Sequence, residues 1–244
     1  MLITPIVIIG ASQNPFFSAW ENSDFIGKLI FMALLAISLI SWTILFHKWK
    51  ISSKVHQESL LFKKAFFEHK GDPLAIPFIS KADPHAPNAF YILYDVLQRK
   101  ATELLNKNEQ VRDESTLASA DITLLENHAL TTISTITKYL ERHLYLLSTI
   151  VTLAPFLGLL GTVYGILITF SGVSLEGAMG GNQQVLGGLS LALTTTVIGL
   201  LNAIPALVGY NYLKNSISDF DHEMERFGTE VLSSFTMHYR TVEV

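Results

Sequence analysis

The chain has 244 residues, 49% of them hydrophobic and only 16% charged, with a mean hydropathy of +0.36. A soluble domain usually carries about 25% charged residues, and this much apolar content excludes an intrinsically disordered chain. A net charge of -4 and a pI near 6.0 leave no basic footprint for nucleic acid, and the absence of cysteine excludes disulfides, thiolate metal sites and cysteine nucleophiles.

In chain order, residues 1–24 come first. Met1–Gly10 is apolar but has no positive charge and holds Pro5, so it lacks the basic head of a cleaved signal peptide. Residues 1–20 read instead as a short interfacial segment, with Phe16, Phe17 and Trp20 available to lie at the headgroups. From Leu29 to Phe46 no side chain is charged, which gives a first span over 25–46. At 1.5 Å per residue such a helix is just long enough for a hydrocarbon core of about 30 Å.

Residues 47–143 hold 13 Lys/Arg and 12 Asp/Glu, well mixed, with Pro73, Pro77, Pro84 and Pro87 interrupting helix around 71–88. Apolar residues at Phe90, Leu93, Tyr94, Leu97, Leu104 and Leu105 fall near helical spacing. A second periodic run, from Leu117 to Leu140, meets no proline before Pro155, so a single helix is predicted to run from it into the second span.

Between His143 and Lys214 lie 70 residues in which Glu176 is the only Asp, Glu, Lys, Arg or His. That is too long for one span, and the glycine- and asparagine-rich stretch 171–184 divides it. The reading is a helical hairpin, with spans over 144–170 and 185–213, a loop over 171–184 and a helical tail over 214–244. The competing reading, a buried hairpin in a soluble helical protein, would require a core helix apolar all round for this length, whereas such helices usually keep a charged face. In the tail, the acidic group Asp219, Asp221, Glu223 and Glu225 reads as a solvated face.

The Lys/Arg bias sets orientation. Only Lys28 lies ahead of the charge-free run 29–46, while Lys48, Lys50, Lys54, Lys63 and Lys64 follow it. Residues 1–24 and the 171–184 loop are therefore placed outside, and 47–143 and 214–244 in the cytoplasm. The fold class expected is an all-α membrane protein with three transmembrane helices and long cytoplasmic helical extensions.

Ion translocation needs an ionisable group within the bilayer, and the run 29–46 and the spans 144–170 and 185–213 contain no acid, lysine, arginine or histidine. They contain hydroxyls instead, among them Thr149, Thr152, Thr162, Thr195 and Thr196. If protons are conducted, the titrating acid must come from another chain. Small residues provide faces for close helix packing: Gly158, Gly161 and Gly165 project within about 60° of one another, and Gly188, Ala192, Thr195, Thr196, Gly199, Ala203 and Ala206 share an arc of about 100°. Pro155 and Pro205 free the carbonyls of Val151 and Leu201, which can then bind water or hydroxyls. The small-residue faces read either as tight packing of the hairpin on itself or, in addition, as lateral packing into an oligomer with Thr149 and Thr196 facing an inner channel. The eight histidines are scattered without metal spacing in a cleft, so neither an enzyme nor a cofactor is expected, and His47 and His143 read as interfacial.

The run Thr149-Ile-Val-Thr-Leu-Ala-Pro-Phe-Leu-Gly-Leu-Leu-Gly-Thr-Val-Tyr-Gly165 closely resembles the second-span signature of the TolQ/ExbB/MotA proton-channel family, and Ala192-Leu-Thr-Thr-Thr-Val-Ile-Gly-Leu-Leu-Asn-Ala-Ile-Pro-Ala206 resembles its third-span signature. The cytoplasmic segment follows the first span, as in the TolQ/ExbB branch, rather than lying between the second and third as in a flagellar stator. The resemblance implies a homopentamer around the membrane helices of a TolR- or ExbD-like single-span partner, whose membrane aspartate takes up and releases protons. The assembly would sit in the bacterial inner membrane, carry protons as the transported ion, and couple proton-motive force to work at the outer envelope. By motif position Thr149 and Thr196 match the family's pore threonines, and Pro155, Gly158, Gly161 and Pro205 match its structural positions. Two departures stand out: Leu191 occupies a position where many family members have glutamate, and Tyr164 one where tryptophan is frequent. Leu191 keeps open a non-conducting membrane scaffold with the same helix faces.

Overall fold

The computed structural model describes residues 15–21, 23–68, 74, 88–112, 115–176 and 182–239. These are helical almost throughout: α1 (Pro15–Glu21), α2 (Phe25–Glu68), α3 (Ala89–Arg112), α4 (Ser119–Glu141), α5 (Leu144–Glu176) and α6 (Asn182–Tyr239). Three helices, α2, α5 and α6, are long and apolar enough to cross a membrane. The chain divides into two compact units, one of residues 1–45 and 145–210, the other of residues 46–144 and 211–244.

The first unit is the spanning one. Its apolar windows have mean hydropathies of 2.5, 2.0 and 1.9, and only 22%, 28% and 39% of them is buried within the chain. Leu39, Phe156, Phe170 and Leu193 are among the large apolar side chains left exposed. A helix apolar all round finds its counterpart in lipid or in another chain. Within the unit, α5 and α6 meet along their small residues, and α2 is tied to α6 by Asn202, whose Nδ2 donates to the Leu34 carbonyl at 3.0 Å. Trp20 of α1 meets Phe31 edge-on with ring centroids 5.7 Å apart, so the chain before α2 folds back beside it. Of the three aromatic residues assigned to the headgroups, Phe16 is exposed and Trp20 half-buried, while the Phe17 side chain lies outside the described set.

The second unit has an aromatic core. Phe62, Phe90, Tyr94, Phe227 and Phe235 are almost wholly buried. The Phe90 and Phe227 rings stack at 4.8 Å, and Phe66 meets Phe227 edge-on at 5.2 Å. Such offset and edge contacts contribute about 0.5–1.5 kcal/mol each beyond burial. Asn88 starts α3: its Oδ1 accepts the Tyr91 N–H at 3.0 Å and its Nδ2 donates to the Glu58 carbonyl at 2.8 Å. Asp121, in the first turn of α4, reaches back to the Ala118 N–H at 2.9 Å and accepts from Asn108 at 2.8 Å.

The single helix predicted from the 117–140 run into the second span is not present. α4 ends at Glu141, Arg142 takes φ -51° and ψ 131°, and His143 adopts a left-handed φ of 71° before α5 starts at Leu144. Neither proline nor glycine marks the site. What sustains the break is a tertiary contact: Lys48, buried at 7% exposure, donates its ammonium to the Leu140 carbonyl at 2.9 Å. In an unbroken helix that carbonyl would accept the Leu144 N–H. A cation at a helix C-terminus also suits the helix dipole.

Candidate functional site

The candidate site is the face where α5 and α6 cross in the spanning unit. Gly158 lies against Thr195 and Thr196; a methyl there would come within 3.0 Å of the Thr195 carbonyl oxygen and 3.1 Å of the Thr196 Cα. A methyl on Gly199 would meet the Ala154 carbonyl at 2.7 Å, and one on Gly188 the Gly165 carbonyl at 2.6 Å. Gly161 leaves the space that the Thr195 side chain fills. These are approaches to backbone or to a fully buried side chain, so the neighbours cannot swing away. Close packing of small residues is how helices associate in lipid, where apolar surface alone gives no drive.

The hydroxyls have distinct tasks within this seam. Thr195 is fully buried and bonds the Leu191 and Ala192 carbonyls at 2.9 and 3.1 Å. Thr196 is half-buried and divides its hydroxyl between the Gly158 carbonyl across the seam at 3.2 Å and its own helix's Ala192 carbonyl at 3.3 Å. Thr149 is exposed, and its hydroxyl bonds the Tyr145 carbonyl at 2.9 Å. Thr152 donates its hydroxyl to the Thr149 carbonyl at 2.9 Å.

A single chain does not bring Thr149 and Thr196 together. Thr196 sits level with Gly158, and Thr149 precedes Gly158 by nine residues, roughly 13 Å along the axis. The antiparallel register, with Ala154 at Gly199 and Gly158 at Thr196, puts Thr149 near the level of Pro205. Pro155 and Pro205 both lie inside their helices. Each removes one backbone donor and leaves the Val151 or Leu201 carbonyl without its helical partner.

Leu191, the departure at the frequent glutamate position, is 1% exposed. Its Cδ2 lies where a methyl on Gly27 of α2 would come within 2.8 Å. Tyr164, the second departure, donates its hydroxyl to Asp24. The sequence placed Asp24 ahead of the first span, and nothing in its local pattern identifies a partner 140 positions away.

In the second unit, Asp221, His222 and Glu225 have possible ligand atoms within 4.8 Å of one another. His222 and Glu225 are exposed and lie 3.3 Å apart, and Thr137 donates to Asp221, so the cluster's partners are protein groups.

A family model described as the MotA/TolQ/ExbB proton channel family matches residues 92–226. The chain is 26% identical over 218 residues to the biopolymer transport protein ExbB of Salmonella typhimurium, a match covering 87% of this chain and 83% of that one. It is 24% identical over 216 residues to the Tol-Pal system protein TolQ of Haemophilus influenzae, covering 87% and 90%. Over 97 residues it is 38% identical to an ExbB of Aquifex aeolicus, covering 40% of this chain and 65% of that protein.

Proposed function

Because the chain belongs to the MotA/TolQ/ExbB proton channel family, we propose that it is the multi-pass subunit of a proton-driven motor and works with a single-span partner that supplies the membrane acid. The observation carrying this reading is the α5–α6 seam: its polar groups are hydroxyls and proline-freed carbonyls, and among the described side chains it holds no carboxylate. Threonine hydroxyls donate and accept hydrogen bonds but neither release their proton nor take up a second one at neutral pH. Thr149 and Thr196 are the pore-lining residues in this reading. Their separation along the bundle gives the partner's acid two successive hydroxyl levels, one near Pro205 and one near Gly158.

The assembly proposed is a homopentamer in the bacterial inner membrane, with residues 1–24 and 171–184 outside and 47–143 and 214–244 in the cytoplasm. The large apolar surface of the spanning unit supports both lateral packing and lipid contact. The work powered is biopolymer transport or envelope maintenance, in keeping with the names of the relatives.

The test is proton flux in vesicles holding the chain with a co-encoded partner. Thr149→Ala and Thr196→Ala are each expected to lower flux at least tenfold, the lower range for loss of one positioned proton-handling group being about 10²-fold. Unchanged flux in both variants would defeat the pore-lining assignment. A second reading, a non-conducting scaffold with the same helix faces, is favoured by one feature, the apolar Leu191. It predicts stable complexes and no flux in the parent protein.

A further inference from the structure

The second unit carries a groove that the channel reading does not use. It lies between α2 and α6, has a volume of about 550 Å³, and is lined on α2 by Trp49, Ser52 and His56 and on α6 by Ser216, Asp219 and Glu223. Two carboxylates belong to its wall, and no lysine or arginine does. Asp219 is exposed. The Glu223 Oε2 is shielded from solvent and has no hydrogen-bond partner among the described residues. A carboxylate oxygen taken out of water without a partner is costly, and the group that relieves the cost best is a cationic donor.

Such a donor stands on the other flank of the same unit, at the same level. α4 buries Leu125, Ala129, Ile133, Ile136 and Leu140, which leaves Lys138 on its opposite face. Lys138 is exposed and makes no ion pair among the described residues. On α6, Asp219 and Glu223 each project about 160° away from Asp221 at 100° per residue, and Asp221 is the residue that accepts from Thr137 of α4. The groove and α4 therefore occupy opposite flanks of α6. Levels follow from the same contacts: Leu117 donates its N–H to the Tyr239 carbonyl while Thr137 meets Asp221, so α4 runs antiparallel to α6. Lys138 then falls level with Phe220, within about 1.5 Å of Asp219 and about 4.5 Å of Glu223 along the axis. Copies of a membrane protein in a ring share an axis along the bilayer normal, so each residue keeps its depth from copy to copy. Two different faces at equal depth on opposite flanks suit a head-to-tail contact that closes into a ring.

We propose that Lys138 of one copy of this chain enters the α2–α6 groove of the next and donates to Asp219 and Glu223, so that the groove is a subunit contact completed only in the oligomer. The ammonium has three donors, enough for both carboxylates. Each copy offers one groove and one Lys138, and the contact repeats around the ring without a free end. The proposal rests on the homo-oligomer of the channel reading and names the faces that meet in it; it does not depend on proton conduction.

The chain has no cysteine, so single introduced cysteines report the contact. Full chains bearing Asp219→Cys, and copies bearing Lys138→Cys with a longer affinity tag, are co-expressed in membranes, oxidised with copper phenanthroline and separated without reductant. The expected result is a disulfide-linked dimer of mixed mass, with no linked dimer from either variant alone. Charge reversal gives a second readout: Lys138→Asp is expected to lower the share of oligomer in native mass spectra, and adding Asp219→Lys to the same chain to restore it. Helical content matched to the parent protein establishes that these variants are folded. Absence of the mixed dimer, dimers of Asp219→Cys with itself, or a folded charge swap that restores nothing would overturn the proposal. So would a link from Asp219→Cys to a single-span partner carrying a cysteine beside its span in place of a second copy, which would give the groove to that partner. Native mass spectrometry of the parent protein separates the two readings. A ring without the link defeats this contact alone, whereas a single chain defeats the oligomer on which it rests.

Discussion

Gly199 and Gly158 show how little room the seam between α5 and α6 leaves. A single methyl on Gly199 would press on the Ala154 carbonyl at 2.7 Å, and overpacking of this kind costs about 1–3 kcal/mol. Gly199→Ala is therefore expected to lower the thermal midpoint of the detergent-solubilised protein, whereas Gly228→Ala in the second unit, whose nearest neighbour would stand at 3.5 Å, should leave it nearly unchanged. Equal midpoints for the two would show that the seam yields. Asn202→Leu tests the tie between α6 and the Leu34 carbonyl. Interhelical hydrogen bonds in membranes average about 0.6 kcal/mol, so a modest loss of stability is expected, and a loss several times larger would mean that Asn202 holds more than this one carbonyl.

The joint between α4 and α5 separates what local pattern specifies from what it does not. Helical periodicity over 117–140 and the apolar run after 143 were both readable, and both form helices. The break between them was not, because the usual punctuation residues are absent and the partner of the freed Leu140 carbonyl is Lys48, 92 positions away. His143, with φ 71°, bears the strain. Non-glycine residues in the left-handed region cost about 1–3 kcal/mol, so His143→Gly is expected to raise stability in chemical denaturation, and His143→Val to lower it. The reverse order would show that the left-handed turn is not held in the folded protein. Asn88→Ala removes both the cap of α3 and the bond to Glu58. Loss of an N-cap costs about 0.5–2 kcal/mol, and faster amide exchange over the first turn of α3 is the local readout.

At the scale of the whole molecule, charge distribution made the architecture legible and left the polar detail hidden. The scarcity of charge between His143 and Lys214 was enough to place the hairpin, since the bilayer penalises unpaired charge. The glycine spacing on each helix was readable too, since it depends only on helical period. Which glycine meets which threonine was not, because register between α5 and α6 is fixed by contacts 37 and 38 positions apart. The levels of Thr149 and Thr196 emerge only from that register. So does the pairing of Asp24 with Tyr164, 140 positions away.

The central claim is that the seam supplies hydroxyls and a partner supplies the acid between them. Proton flux measured in three vesicle preparations tests it most directly: the chain alone, the chain with its single-span partner, and the chain with that partner's membrane aspartate replaced by asparagine. The expected result is flux above that of empty vesicles in the second preparation only. Equal flux from the chain alone, or full flux with the asparagine partner, would contradict it.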